Sequence, residues 1–185
     1  MDSINLAQRD MRQAYYYGVP GVIASGTAWG VAGVVALAIS PIAGIVTLIA
    51  GGTLIFPVSV VLCKCLGRSG KHEKTNPLAP LAIEGTIWML FSIPVAVAAA
   101  YYSQSMFFPA AMMLVIGGRY LTFSTLYGIK TYWLFAAVLF AAGLLCAMLQ
   151  APVAIGALTG GLVEWFFAAV IAWLNRGRPD RPAQV

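Results

Sequence analysis

The stretch "MLVIGGRYLTFSTLYG" (residues 113–128) decides how the chain must be read, because it is apolar almost throughout yet carries Arg119 at its centre. Extended back to residue 106, it is long enough to cross a hydrocarbon core about 30 Å thick as a helix, which takes roughly 20 residues. A membrane β-strand alternates apolar and polar positions over about ten residues. This stretch does not alternate, so it predicts a transmembrane helix.

Working outward, the same texture recurs. The 185 residues are 61% hydrophobic and only 9% charged, with mean hydropathy +0.85. A water-soluble domain is roughly 45–50% apolar and about 25% charged. The chain surface must therefore be solvated by a lipid bilayer. Six apolar stretches fit spans, at 19–39, 41–63, 79–101, 106–128, 131–150 and 152–174. The fold class expected is an all-α membrane protein of six transmembrane helices.

Residues 1–18 lack the order of a secretory signal. Ile4, Ala7, Met11 and Tyr15 recur at helical spacing beside Arg9, Asp10 and Arg12, which predicts an amphipathic interfacial segment; a polar tail is the alternative. The six-helix domain spans 19–174, and 175–185 form a basic tail. No connection is long enough to hold a soluble domain.

Charge placement sets the expected orientation. Arg9, Arg12, Lys64, Arg68, Lys71, Lys74, Lys130, Arg176, Arg178 and Arg181 all fall on one side of this topology, and the opposite connections carry no charge. By the positive-inside rule both termini are cytoplasmic. The net charge of +5 then requires no nucleic-acid partner. It serves topology, or attracts anionic lipid head groups.

The spans also read as three helical hairpins. Pro41, Pro109 and Pro152 are followed by Gly51-Gly52, Gly117-Gly118 and Gly160-Gly161, and Trp29, Trp88 and Trp133 mark the outgoing helices. Gly26 with Gly30, and Gly156 with Gly160, form the GxxxG spacing that lets helices approach closely in lipid. Three parallel repeats around a pseudo-threefold axis are expected, with these glycines in helix packing. A homo-oligomer or a membrane partner is compatible with such small-residue faces.

Three charges fall inside the spans: Arg119, Glu164 and Glu84. Arg119 and Glu164 lie roughly 13–16 Å from the basic ends of their helices at 1.5 Å per residue, and Glu84 about 8 Å. A lone charge at such depth is costly, about 2.5–3.5 kcal/mol on insertion scales for arginine. The expectation is that Arg119 faces the interior and pairs with Glu164, with Glu84 sharing the arginine or facing the mouth. Tyr120, Thr122, Ser124, Thr125 and Tyr127 add a polar stripe to the same span. Two meanings stay open: a path for a small polar solute or a proton, or a structural staple between hairpins.

The motifs for catalysis are missing. The one histidine, His72, lies in a loop, no Asp lies in a span, and no GxxxxGK[ST] loop occurs. No enzyme activity, cofactor or metal site is expected. Cys63 and Cys65 form a CxC at the end of span two, where a palmitate or a weakly held metal is the alternative to ordinary small apolar residues. Cys146 lies near the outer end of span five, and no disulfide is expected in a reducing compartment.

The segments "GGTLIFP" (51–57), "NPLAPLA" (76–82) and "GGRYLTFSTLYGIKTYW" (117–133) resemble a family of small uncharacterised bacterial integral membrane proteins. The resemblance covers spans two to five, about half the chain. It implies a bacterial plasma (inner) membrane and carries over no functional residue. The hairpin layout is also similar to that of small acid-resistance membrane proteins, a likeness of architecture alone. The function expected is a small transporter or channel-like protein with a polar charged interior. The alternative is a non-transporting accessory or stress-related membrane protein.

Overall fold

The computed structural model describes residues 3–102 and 105–176. Among them are seven α-helices: α1 (Ser3–Tyr15), α2 (Val19–Ala38), α3 (Pro41–Cys65), α4 (Ala79–Tyr102), α5 (Phe107–Tyr127), α6 (Thr131–Met148) and α7 (Val153–Leu174). Six helices are long and apolar enough to cross a membrane. Their apolar residues point all round, as helices buried in lipid and protein must. Pro57 and Pro94 lie inside α3 and α4. Arg178, Arg181 and the rest of the tail from 177 lie outside the described residues, as do 103–104 of the α4–α5 turn.

Short turns link successive spans. Ser40 caps α3 by accepting from the Ala43 amide over 3.1 Å, which satisfies one of the first unpaired N–H groups. Gly128 ends α5 in the left-handed region, at φ 65°, where glycine adds no Cβ penalty. Hairpin connectivity does not translate into three equal hairpins, however. The closest pairings are α2 with α3, α2 with α7, and α5 with α6; α4 packs on α5, and α6 meets α7 less closely. Trp29 is buried, whereas Trp88 and Trp133 face outward. The pseudo-threefold expectation therefore fails at the level of packing. The physical reason lies in the partners: α2 and α7 present glycines to each other, so their backbones approach closely, and α7 is drawn to α2 rather than to its own hairpin partner.

Several glycines lie at close approaches between helices. A Cβ on Gly161 would meet the Gly26 carbonyl oxygen at 3.0 Å; one on Gly160 would meet the Trp29 ring at 3.0 Å. Gly26 and Gly30 lie under the Trp165 ring, Gly156 faces Pro109, Gly117 faces Ala136 and Gly51 faces Ala28. Gly52 and Gly118 face open space instead, which corrects their assignment to intramolecular packing. Each lies one helical position, about 100°, beyond a glycine that does pack.

α1 is not a free interfacial helix. Ala7, Met11 and Ala14 are buried against the protein. Gln8 Nε2 donates to the Thr125 carbonyl over 2.8 Å and Arg12 Nη1 to the Tyr127 carbonyl over 2.9 Å. These carbonyls belong to the last turn of α5, which lacks helical donors, and a cation there also meets the negative end of the helix dipole. The loop after α3 closes over α1. Asn76 Nδ2 donates to the Ala7 carbonyl over 3.0 Å and to Asp10 Oδ2, and the Glu73 amide donates to the same carboxylate over 3.0 Å. Between α1 and α2, Tyr16 and Tyr17 take positive φ, a strained region for side-chain-bearing residues. The Tyr132 hydroxyl holds this bend by donating to the Tyr17 carbonyl over 2.7 Å.

Candidate functional site

The buried polar centre lies where α2, α5 and α7 meet. Glu164 is fully buried at 0% exposure. It lies about 15 Å from the C-terminal end of α7, close to the middle of the span. The Tyr120 hydroxyl donates to its Oε1 over 3.1 Å. Its other oxygen, Oε2, is buried with no hydrogen-bond partner, as is the indole Nε1 of Trp29. Ser25, also buried, lies beside the carboxyl from α2.

Local helix geometry explains this convergence. Gly160 and Glu164 are four residues apart and share one face of α7. Trp29 covers Gly160, while Gly26, three residues before Trp29, packs on the Glu164 side chain. The floor is aromatic. Tyr120 stacks on Phe135 at 4.1 Å between centroids, and Phe135 stacks on Phe167 at 4.6 Å. Such a lining excludes water and strengthens whatever electrostatic interaction the carboxyl makes.

Arg119 does not pair with Glu164. Its Nη1 donates instead to Met89 Sδ over 3.2 Å, and its guanidinium lies 5.6 Å from the Phe123 ring centroid. Among the described residues no ion pair joins the intramembrane charges. The reason is again angular. Residues 119 and 120 are successive on α5 and so point about 100° apart; Tyr120 takes the direction of α7, and Arg119 is left facing α4. Glu84 is exposed on the outer face of α4, beside Ile83 and Ile87, and belongs neither to the interior nor to the arginine.

The expected polar stripe on α5 is divided in the same way. Tyr120 and Tyr127 are buried, Thr122 and Ser124 are half-buried and Thr125 is exposed. Thr122 returns its hydroxyl to the Arg119 carbonyl over 2.7 Å, so it lines no path. Ser25 and Trp29 are the site residues that the sequence reading did not place. In the sequence Ser25 is one small polar residue among several in the spans, and Trp29 marks only the repeat. Cys63 is buried, Cys65 exposed and Cys146 half-buried, all as free thiols.

No curated protein and no solved structure matches the chain. The model of a family of unknown function, DUF7010, matches residues 4–174. That is nearly the whole chain rather than the half carried by the sequence motifs. An integral membrane protein with six candidate spans, the chain belongs to the DUF7010 family.

Proposed function

We propose that the protein is a small transporter or channel-like protein in which the Glu164 carboxyl is the exchange site for a proton or a small cation. The observation that supports this reading is the state of that carboxyl. It is buried at mid-span, with the Tyr120 hydroxyl donating to Oε1, Ser25 beside it and Oε2 without a geometric hydrogen-bond partner, and among the described residues no cation forms an ion pair with it. Intramembrane carboxyls with no structural counter-ion mark ion and proton pathways. A staple would instead neutralise its charge with a partner. Arg119 and Glu84 stand apart from this exchange site.

In this reading the protein resides in a bacterial plasma membrane, with the end carrying Arg9, Arg12, Lys64, Arg68, Lys71, Lys74 and Lys130 in the cytoplasm. Anionic head groups lie beside that end, and a homo-oligomer or a membrane partner completes the assembly. Labelling of Cys65 by a membrane-impermeant thiol reagent tests the orientation: labelling in opened cells alone fits, and labelling of intact cells overturns it.

The test of function is proton and alkali-cation flux into proteoliposomes carrying wild type or Glu164→Gln. Flux in the wild type that collapses in the variant supports the proposal. Equal flux in both, or none in either, overturns it. The second reading, a non-transporting accessory or stress-related protein, draws on the complete burial of Glu164 under the Tyr120–Phe135–Phe167 stack. Absence of flux together with a marked stability loss in Glu164→Gln would favour it.

A further inference from the structure

Arg119 is the second charge held inside the spans, and the proposed exchange site makes no use of it. Its guanidinium has five N–H donors, yet the contacts it makes are one hydrogen bond to the thioether of Met89 and the face of Phe123. A thioether is a weak acceptor, so the guanidinium N–H groups are poorly satisfied, with the Glu164 charge acting on them only from a distance. Nor does it reach the interface. Side chains leave a helix tilted toward its N-terminus, which for α5 is the end opposite the basic loops. Met89 lies about 15 Å along α4 from its basic end, so the guanidinium is held at mid-span.

The surroundings define what would satisfy it. Arg119 is half-buried rather than sealed, and Gly118 beside it is exposed, with no neighbour within 4 Å of where its Cβ would stand. The arginine thus stands at the boundary between the protein and the lipid, among apolar side chains. A planar guanidinium fork matches a carboxylate by two parallel hydrogen bonds. We infer that the lipid-facing seam between α4 and α5 binds a monoanionic carboxylate with an apolar body, its head on Arg119 and its body running past Met89 along the exposed Gly118 face. Such a ligand arrives either from the membrane, as a fatty acid, or from water, as a short-chain acid. The site shares no hydrogen bond with Glu164 among the described residues, and its test reads binding and not flux.

The experiment is a titration of full-length protein, in nanodiscs of zwitterionic lipid, with labelled laurate, with butyrate as competitor and dodecanol as the uncharged control. Saturable laurate binding that dodecanol does not displace is expected. Arg119→Gln should weaken it roughly ten- to a hundredfold, the scale of a lost charge-assisted pair. Met89→Glu, which sets an internal carboxylate against the guanidinium, should abolish binding and raise the melting temperature. This second variant keeps the test decisive if Arg119→Gln does not fold. Displacement of laurate by butyrate identifies the aqueous source; resistance to butyrate identifies the membrane source. The proposal is overturned if dodecanol competes equally, if wild type shows no saturable binding, or if Met89→Glu binds laurate as wild type does.

Discussion

The Tyr120 hydroxyl donates to Glu164 Oε1 over 3.1 Å, tying α5 to α7 inside the buried core. It joins two helices that otherwise meet over a limited area, and the Ser25 hydroxyl of α2 stands beside the same carboxyl. Tyr120→Phe removes this donor and leaves Oε1 unpaired in the core. A stability loss of about 1–3 kcal/mol is expected, the cost of an unsatisfied buried polar group. Adding Glu164→Leu to Tyr120→Phe should recover part of it, since no polar group is then stranded. Melting in detergent of the two singles and the double checks this. Strict additivity would show that the two residues are not coupled.

The cycle between Arg119 and Glu164 should give the opposite result. The two side chains point to different helices and act on each other only through longer-range attraction, so the coupling between Arg119→Leu and Glu164→Leu should stay within about 0.5–1 kcal/mol, below that of a direct buried pair. A coupling of several times that size would mean that the pair forms in the membrane.

The glycines divide by what faces them. Gly161→Ala would press a methyl group against the Gly26 carbonyl and the Gly30 amide, and overpacking of this kind costs about 1–3 kcal/mol. Gly118→Ala and Gly52→Ala meet nothing and should be neutral or stabilising by up to about 1 kcal/mol, through helix propensity alone. Thermal unfolding of the three variants separates the classes.

At the loop end, Asn76 is buried and fastens α1, with its Oδ1 also accepting from the Leu78 amide over 2.8 Å. Asn76→Ala should release α1 and the loop locally, read as faster amide exchange in α1 and new protease cleavage within 66–78, while the spans stay protected. The same junction should respond to alkali. Burial raises the Tyr15 phenol above its ordinary 10.0, with a hydrogen bond from the His72 backbone acting in the other direction. The unfolded chain then loses this proton first. Its contribution is therefore complete below pH 10 and falls as the pH climbs past it. Tyr15→Phe should flatten the difference between melts at about pH 9 and about pH 11.

The sequence by itself determined the class of fold and the position of each span. Apolar runs of this length can satisfy their backbone in lipid only as helices, so α2 to α7 begin and end within a few residues of where composition places them. It also determined that Arg119 and Glu164 lie at similar depth, because rise per residue is fixed. What it left open is direction around the helix axis and choice of neighbour. Depth made the two charges look like a pair. The 100° step between Arg119 and Tyr120, together with the approach of α7 to α2 over Gly26 and Gly161, turned them to different helices. Whether adjacent glycines pack or face outward follows from the same rotation, as Gly117 and Gly118 show. Only the tertiary structure fixes it, because it depends on which helix arrives on each side.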